Sequence, residues 1–513
     1  MFGRYALGVL ILLGPQAAAQ DTTAATAAPP VYTLTLADAL AQARANSPAY
    51  RQVLNDLGPA RTAVRSAYAS FLPSVTASGD LGYTGSGQSN FGGTNFSQVS
   101  PSYNSGYNLG LAWQLNSNVL TGPGLQKSNR RATEEEIANA EVGLRTDVTI
   151  QYLSALQTGA QVSVAREQVR RNADFVTLAR TRYQVGQATL IEVRQAEVQK
   201  GRSDVALLNA LQADYEAKLE LFRRMGVVPP APVEEVALPD SFPVTEPTWQ
   251  LDELLTAARE ENPSLRSLRA REDAAVWSVR AAKGQFLPSL SLQAGWSGYT
   301  QEFTDEGLLL GQSTASAVAT RDNCLFQNAI ITRLTSPLPY PNGGVIADCN
   351  GYASLDATGT RLDAQTRRGL IDGNRVFPFQ FTTQPFRATL TVSLPIFTGL
   401  TRTLQLSQAR AARDDADETV RARGLEVRAV VQARFLAVQT AYRSIAVQAA
   451  NRQAAQEQLQ LAQQRYRVGN GASLELSDAQ NGVQAAEGDY VNAVYNYHKS
   501  VAALEAAVGR SLR

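Results

Sequence analysis

Two stretches of this chain, about 126 to 184 and about 403 to 467, contain no proline and place a residue of one helix face at every seventh position. The first reads Val148, Ala155, Val162, Val169, Val176, Tyr183; the second reads Val431, Val438, Ile445, Arg452, Leu459, Tyr466, with Arg452 marking a wetter level. Sustained seven-residue spacing is the pattern of helices packed side by side as coiled coils. About 59 residues at a 1.5 Å rise give roughly 90 Å of helix, against a usual length of about 11 residues. No compact globule holds such an element, so the chain must build something elongated.

Each long stretch ends in a tight-turn signal, Val185-Gly186-Gln187-Ala188 and Val468-Gly469-Asn470-Gly471, and helix then returns to about 225 and 508. Upstream, the tetrapeptide FLPS occurs at 71–74 and again at 286–289. Proline lacks an N–H and fixes φ, so Pro73 and Pro288 each close a helical segment (36–70 and 251–286) and open an extended one. Beyond them the pattern alternates: Leu290, Leu292, Ala294 and Trp296 on one face, Ser291, Gln293, Gly295 and Ser297 on the other. Return runs at Tyr107–Leu115 and Ala388–Leu394 alternate likewise. Period-two runs of about ten residues with aromatic ends are the signature of membrane β-strands. Pro395 marks the return from strand to helix in the second half; the first half has Asn118 there, predicting a less sharply kinked junction. Gly58-Pro59 predicts a helix break that the second half lacks.

The chain reads as one unit used twice. At a constant offset of 215, residues 36–75 fall on 251–290 with Leu36, Leu40, Arg44, Pro48, Arg51, Val64, Arg65, Ala67 and Phe71–Ser74 identical. At an offset of 283, Tyr183, Val185, Gly186, Glu192, Ala196 and Gly226 fall on identical residues. The offsets differ by 68 residues, which must be extra chain, most of it near 300–385. The expected organisation is a signal peptide (1–19), a flexible leader (20–35), a first repeat (36–226, hairpin 73–120, helical hairpin 126–226), a Pro-rich connecting belt (227–250), and a second repeat (251–513). In the second repeat the β-hairpin is 288–397, interrupted by an exposed 300–385 loop, and the helical hairpin is 403–508.

Composition narrows the class. Lys+Arg number 47 and Asp+Glu 46, and no basic stripe appears, so nucleic acid is not an expected partner. Arg4, the short apolar run Ala6–Leu13 and Ala17-Ala18-Ala19 fit a cleaved export signal, and no later stretch is apolar enough for a membrane helix. An exported protein with alternating strands is expected in the outer membrane. Its two cysteines, Cys324 and Cys349, share one Gly/Asn/Asp-rich region, and in an exported chain the expectation is one local disulfide rather than free thiols. One histidine, His498, and no nucleophile–His–acid set, metal cluster or phosphate loop leave no catalytic residue, metal or cofactor to expect.

Four strands cannot close a barrel, and open strand edges in lipid are prohibitive, so subunits must share one. Eight strands would fill their own interior, whereas twelve leave a lumen. The expected fold is therefore mainly α with membrane β: a homotrimer with a 12-stranded β-barrel, four strands per chain, continued by a coiled-coil α-helical periplasmic barrel.

The double unit resembles the TolC-type outer-membrane efflux protein family. The resemblance is carried by TLADALAQARANSPAY with FLPSV, LDELLTAAREENPSLR with FLPSL, VSLPIFTG at 392–399, and RYQVGQATLIEVRQAE with RYRVGNGASLELSDAQ, and covers the mature chain except 300–385. It implies an exit duct for a tripartite efflux pump or type I secretion system, engaging outer-membrane lipid, a periplasmic adaptor and an inner-membrane pump or ABC transporter. It also implies a gate at the helical tip, with Glu475 and Asp478 ringing the constriction and Tyr466 holding it closed. The basic residue often found in the second turn is replaced by Gly471, so Arg465 or Arg467 would have to substitute. The tip turns, Gly186, Gln187, Ala188, Thr189 and Glu192 with Gly469, Asn470 and Gly471, would meet the adaptor.

Plainer readings stand beside these. Thr189 and Glu192 form a capping-box pattern, and Gly186 and Gly469 are turn glycines first. Glu475 and Asp478 are equally explained by spacing alone as acids at a helix start, and only the resemblance favours the ring. Trp113 and Trp296 read as an interfacial girdle, and Tyr183 and Tyr466 as core. The competing function is a barrel-anchored coiled-coil envelope protein or adhesin without transport.

Overall fold

The structure, a computed structural model, describes residues 32–91, 94–336 and 338–512; the expected signal peptide and the leader up to residue 31 lie outside these. In chain order the elements begin β1 (Tyr32–Thr33), α1 (Leu36–Asn46), α2 (Pro48–Asn55), α3 (Leu57–Ala69), β2 (Ser74–Thr84), β3 (Gly87–Phe91), β4 (Thr94–Val99) and β5 (Ser102–Leu115). The two helices α4 (Ser117–Gln184) and α5 (Leu190–Met225) follow, then β6 (Val236–Ala237), α6 (Leu251–Glu261), α7 (Pro263–Gly284) and β7 (Ser289–Phe303). Next come α8 (Glu306–Ile331), α9 (Cys349–Tyr352), α10 (Ala364–Asn374), β8 (Thr382–Thr383) and β9 (Arg387–Ser393), and last α11 (Thr401–Arg467) and α12 (Ser473–Val508). The chain divides into two compact units: 58–132 with 269–419, and the remainder.

The first unit is a sheet with its junctions. β2, β5 and β7 run antiparallel in that order, and β8 and β9 both pair with β7. Among the described residues β2 pairs only with β5, and β9 only with β7, so both edges are open. Register assigns the faces. Val75, Leu111, Ala294 and Ala388 lie across from one another, as do Ala77, Leu109 and Trp296. The opposite face carries Thr76, Gly110, Gly295 and Arg387 in one row and Ser78, Asn108 and Ser297 in another. One face is thus apolar and the other small and polar.

Pro73 and Pro288 occupy the same local position, between the last 3₁₀-like bonds of a helix (Leu72 N to Ala69 O, 2.9 Å; Leu287 N to Gly284 O, 3.0 Å) and the first strand residue. The Trp113 indole N–H donates to Phe71 O at 2.9 Å, tying β5 to this junction. On the return side the halves differ. α4 starts at Ser117, not near 126, because Asn116 Oδ1 accepts from Val119 N at 3.1 Å and Ser117 Oγ donates to Ala281 O at 2.8 Å. Pro123 falls inside α4. After β9, Pro395 removes a donor and residues 394–400 stay irregular before α11. The helix break expected at Gly58-Pro59 falls at Asp56, leaving Pro59 in the first turn of α3, while α7 runs unbroken.

The region expected as an exposed loop over 300–385 differs most. β7 continues to Phe303, and about half of the insertion is helix. Asp305 Oδ1 caps α8 by accepting from Leu308 N at 3.1 Å, and the Leu- and Ala-rich run behind it propagates. The Gly/Asn/Asp content that signalled a loop is concentrated after α8. Cys324 on α8 and Cys349 at the start of α9 form a disulfide, Cα–Cα 5.7 Å.

The second unit is helical. α5 and α12 each have 36 residues. Its apolar cores lie in separate clusters. One joins Phe175, Val176 and Ala179 to Val193, Leu459, Tyr466, Leu476 and Val483 near the helix turns. Two others gather around α6 with Val431 and Val438, and around α1 with Val148 and Tyr152. Amides are buried beside the turn cluster: Gln168 and Asn172 of α4 are 1% and 0% exposed, and Gln480 of α12, next to Ala479 of that cluster, is 2% exposed. Arg171 pairs with Glu487 at 3.0 Å, and the Arg452 guanidinium lies 4.0 Å over the Tyr490 ring. The belt at 227–250 is held by β1–β6 pairing and by Asp240, which accepts from Leu36 N at 2.6 Å and lies 2.8 Å from Tyr152 Oη.

Gly124 marks close approach: a Cβ there would sit 2.4 Å from the Trp277 ring, whereas one at Gly143, also on α4, meets nothing within 4 Å. Gly124→Ala should cost about 1–3 kcal/mol through overpacking. Gly143→Ala should instead gain about 0.5–1 kcal/mol from helix propensity. Thermal unfolding of the two variants should therefore shift in opposite directions.

Candidate functional site

The gate and adaptor residues singled out by sequence lie at the two helix turns, while Pro73, Pro288 and Pro395 stand at the strand junctions and Cys324 and Cys349 in the insertion. Gly186 (φ 77°) and Gly469 (φ 83°) take the left-handed conformation that a side chain disfavours. Each closes the same C-terminal motif: Gly186 N to Tyr183 O (3.0 Å) with Gln187 N to Arg182 O (2.8 Å), and Gly469 N to Tyr466 O (3.2 Å) with Asn470 N to Arg465 O (2.9 Å). The helices that follow start differently. Thr189 and Glu192 form a full capping box, Glu192 N to Thr189 Oγ1 at 3.3 Å and Thr189 N to Glu192 Oε1 at 3.2 Å. Ala472 gives α12 no side-chain cap. Gln187, Ala188, Asn470 and Gly471 complete the two turns between helices.

Tyr466 is the pivot. It is 0% exposed, while its counterpart Tyr183, expected to pack in the same way, is 46% exposed. The Tyr466 hydroxyl donates to Glu192 Oε2 at 3.3 Å, and Phe175 meets its ring edge-on at 5.5 Å. Arg182 clamps it from α4: Nη1 donates to Tyr466 O at 2.8 Å, Nη2 donates to Gln187 O at 3.1 Å, and the guanidinium lies 4.3 Å over the ring. Burial, and next the Glu192 charge, push the Tyr466 phenol above its ordinary 10.0, with Arg182 acting in the opposite direction.

Arg465, one of the two arginines considered for the second turn, pairs with Glu475 across that turn. Asp478, one turn on, is exposed and meets no basic partner among the described residues. Sequence reading missed Arg182. Its signal was present: it precedes Tyr183 as Arg465 precedes Tyr466, but only the fold shows that one arginine reaches across and the other pairs locally. A groove of about 530 Å³ runs beside the first turn, lined by Phe175, Leu190, Ile191, Val198, Leu474 and the polar Gln195. It too was not legible, because α12 supplies Leu474 from 276 residues beyond Val198. Among the described residues no group of three or more His, Cys, Asp or Glu could hold a metal.

A sheet with one apolar and one polar face, joined to long helical hairpins with matched turns, defines a membrane-sheet protein with a coiled-coil extension. A family model described as outer membrane efflux protein matches residues 39–227 and 352–510, and the chain belongs to that family. It resides in the outer membrane and extends into the periplasm. It is 29% identical over 279 residues to the toluene efflux pump outer membrane protein TtgF of Pseudomonas putida, covering 49% of this chain and 55% of the relative. It is 24% identical over 272 residues to the outer membrane protein TolC of Vibrio cholerae, covering 52% and 59%. The chain thus matches little more than half the length of these relatives. Among solved structures, VceC of Vibrio cholerae (TM-score 0.65, 17% identity, 93% and 97% covered) and the Campylobacter jejuni CmeC outer membrane channel (TM-score 0.65, 14% identity, 92% and 85% covered) share the fold.

Ionised tyrosine is disfavoured in the folded tip, so between about pH 10 and the raised native value the unfolded chain binds fewer protons and stability falls as pH rises. Below about pH 10 the contribution is constant. Tyr466→Phe should remove part of the alkaline loss, seen as a shallower fall in melting temperature between pH 10 and 12 than in the parent.

Proposed function

We propose that this chain is the exit duct of a tripartite efflux pump or type I secretion system, a homotrimer whose duplicated units complete a 12-stranded barrel and a periplasmic helical barrel. The observation that carries this reading is the sheet with two open edges. Peptide groups unpaired in hydrocarbon cost several kcal/mol each, so β2 of one copy pairs with β9 of the next, and ring closure leaves no edge. The polar, small face then lines a wet lumen, which favours a conduit over a dry stalk or adhesin. The printed names of the relatives, efflux pump outer membrane proteins among them, point the same way. No residue of the duct does chemistry on its cargo.

In this reading the tip is the gate. Tyr466, Arg182 and Glu192 hold the two helical hairpins together, and Glu475 and Asp478 of three copies form a ring of about six carboxylates that draws cations. The turns at Gly186–Glu192 and Gly469–Gly471, with the adjacent groove, form the surface for a periplasmic adaptor, which links the duct to an inner-membrane pump or ABC transporter.

Single-channel recording in a planar bilayer tests this. Glu475→Gln with Asp478→Asn should lower cation selectivity without changing conductance in proportion. Arg182→Ala with Tyr466→Phe should raise open probability. A protein that conducts no ions in any variant would remove the conduit reading.

A further inference from the structure

The insertion returns to the sheet along an unexpected route. Beyond α10 the chain does not pass over the polar face. Asn374 pairs with Phe303, its Nδ2 donating to Phe303 O at 2.8 Å and its Oδ1 accepting from Phe303 N at 2.9 Å. Phe377 N then donates to Glu302 Oε2 at 3.0 Å, and Ser105 Oγ donates to Pro378 O at 2.6 Å. Rings follow the same path: Phe377 against Tyr103 at 5.3 Å, Phe381 against Tyr107 at 4.9 Å, and Phe386 against Trp296 at 4.7 Å. Register places Tyr103 with Glu302, Ser105 with Thr300, and Leu109 with Trp296, all on the apolar face. The strap therefore crosses the apolar side of β7 to reach β5. It buries Ser105 and Thr300 to 2% and 3% exposure and leaves Phe379 78% exposed.

We infer that residues 374–381 are an aromatic strap seated in the outer headgroup layer of the membrane, with Phe379 directed into lipid, before Thr382 and Thr383 rejoin the sheet beside β7. The inference rests on the sheet lying in the outer membrane, not on the transport reading. Three arguments support it. Irregular backbone is excluded from exposed hydrocarbon, so the strap must lie above it. From Leu290 to Gly298 the face spans eight residue steps, roughly 20–25 Å after strand tilt, close to the height of the apolar band. The strap crosses just beyond, with Pro378 over Ser105 and its partner Thr300, where an aromatic girdle belongs. Finally, β5 and β7 are interior strands, so a neighbouring copy pairing at β2 or β9 does not cover Phe379.

Phe379→Trp in the full-length chain, reconstituted into phosphatidylcholine vesicles, tests this by difference from the parent. The added emission should be blue-shifted and quenched more by bromines placed shallow on the acyl chain than by deep ones. Red emission quenched by aqueous iodide and untouched by brominated lipid would overturn the strap, and so would blue emission that neither quencher reaches, the mark of burial in protein. The parent carrying Trp249→Phe and Trp277→Phe, whose emission then comes from Trp113 and Trp296 on the apolar face, serves as the reference. If brominated lipid leaves it unquenched, the apolar face does not meet the bilayer and the wider placement fails too; if it is quenched and the residue at 379 is not, only the strap fails.

Discussion

Hydrocarbon offers no hydrogen bonds, and that single fact governs the membrane part of this chain. Each strand must find both neighbours, yet among the described residues β2 and β9 are paired on one side only. In the proposed barrel, the unmet peptide groups of those two edges are what drives one copy to pair with the next. They also explain why the faces are so sharply sorted. A strand shared between copies is held mainly by its backbone, so its side chains are free to follow the demands of lipid on one face and water on the other.

The junctions transmit that order to the helices. Pro73 and Pro288 force an extended start where a helix has just ended, and Trp113 pins one such start to the neighbouring strand. The two returns from strand to helix differ. Asn116 and Ser117 supply the side-chain hydrogen bonds that let α4 begin within two residues of β5, whereas β9 is followed by Pro395 and α11 waits until Thr401.

Much of this was legible. Seven-residue spacing marked the long helices, period-two alternation marked the strands, and matching turns marked the hairpin ends. These signals are local, so one sequence suffices to read them. What was hidden depends on partners distant in sequence. The helical character of the insertion was masked by averaging Gly- and Asp-rich turns with the Leu/Ala run of α8. Tyr183 and Tyr466 look alike in sequence, and only the assembled tip decides that Tyr466 is enclosed while Tyr183 faces solvent. Arg182 and Arg465 diverge for the same reason.

The buried amides on α4 and α12 have a consequence for alignment. Purely aliphatic helices with a seven-residue spacing can slide past each other by two turns and still mate knobs with holes. Such a slip of α4 against α12 would part the Gln480 amide N–H from Arg171 O and Arg171 from Glu487, leaving buried polar groups unanswered at about 1–3 kcal/mol apiece. The polar level thus acts like a vernier mark, favouring the observed axial offset over a two-turn slip and so bearing on how far the two turns protrude relative to each other.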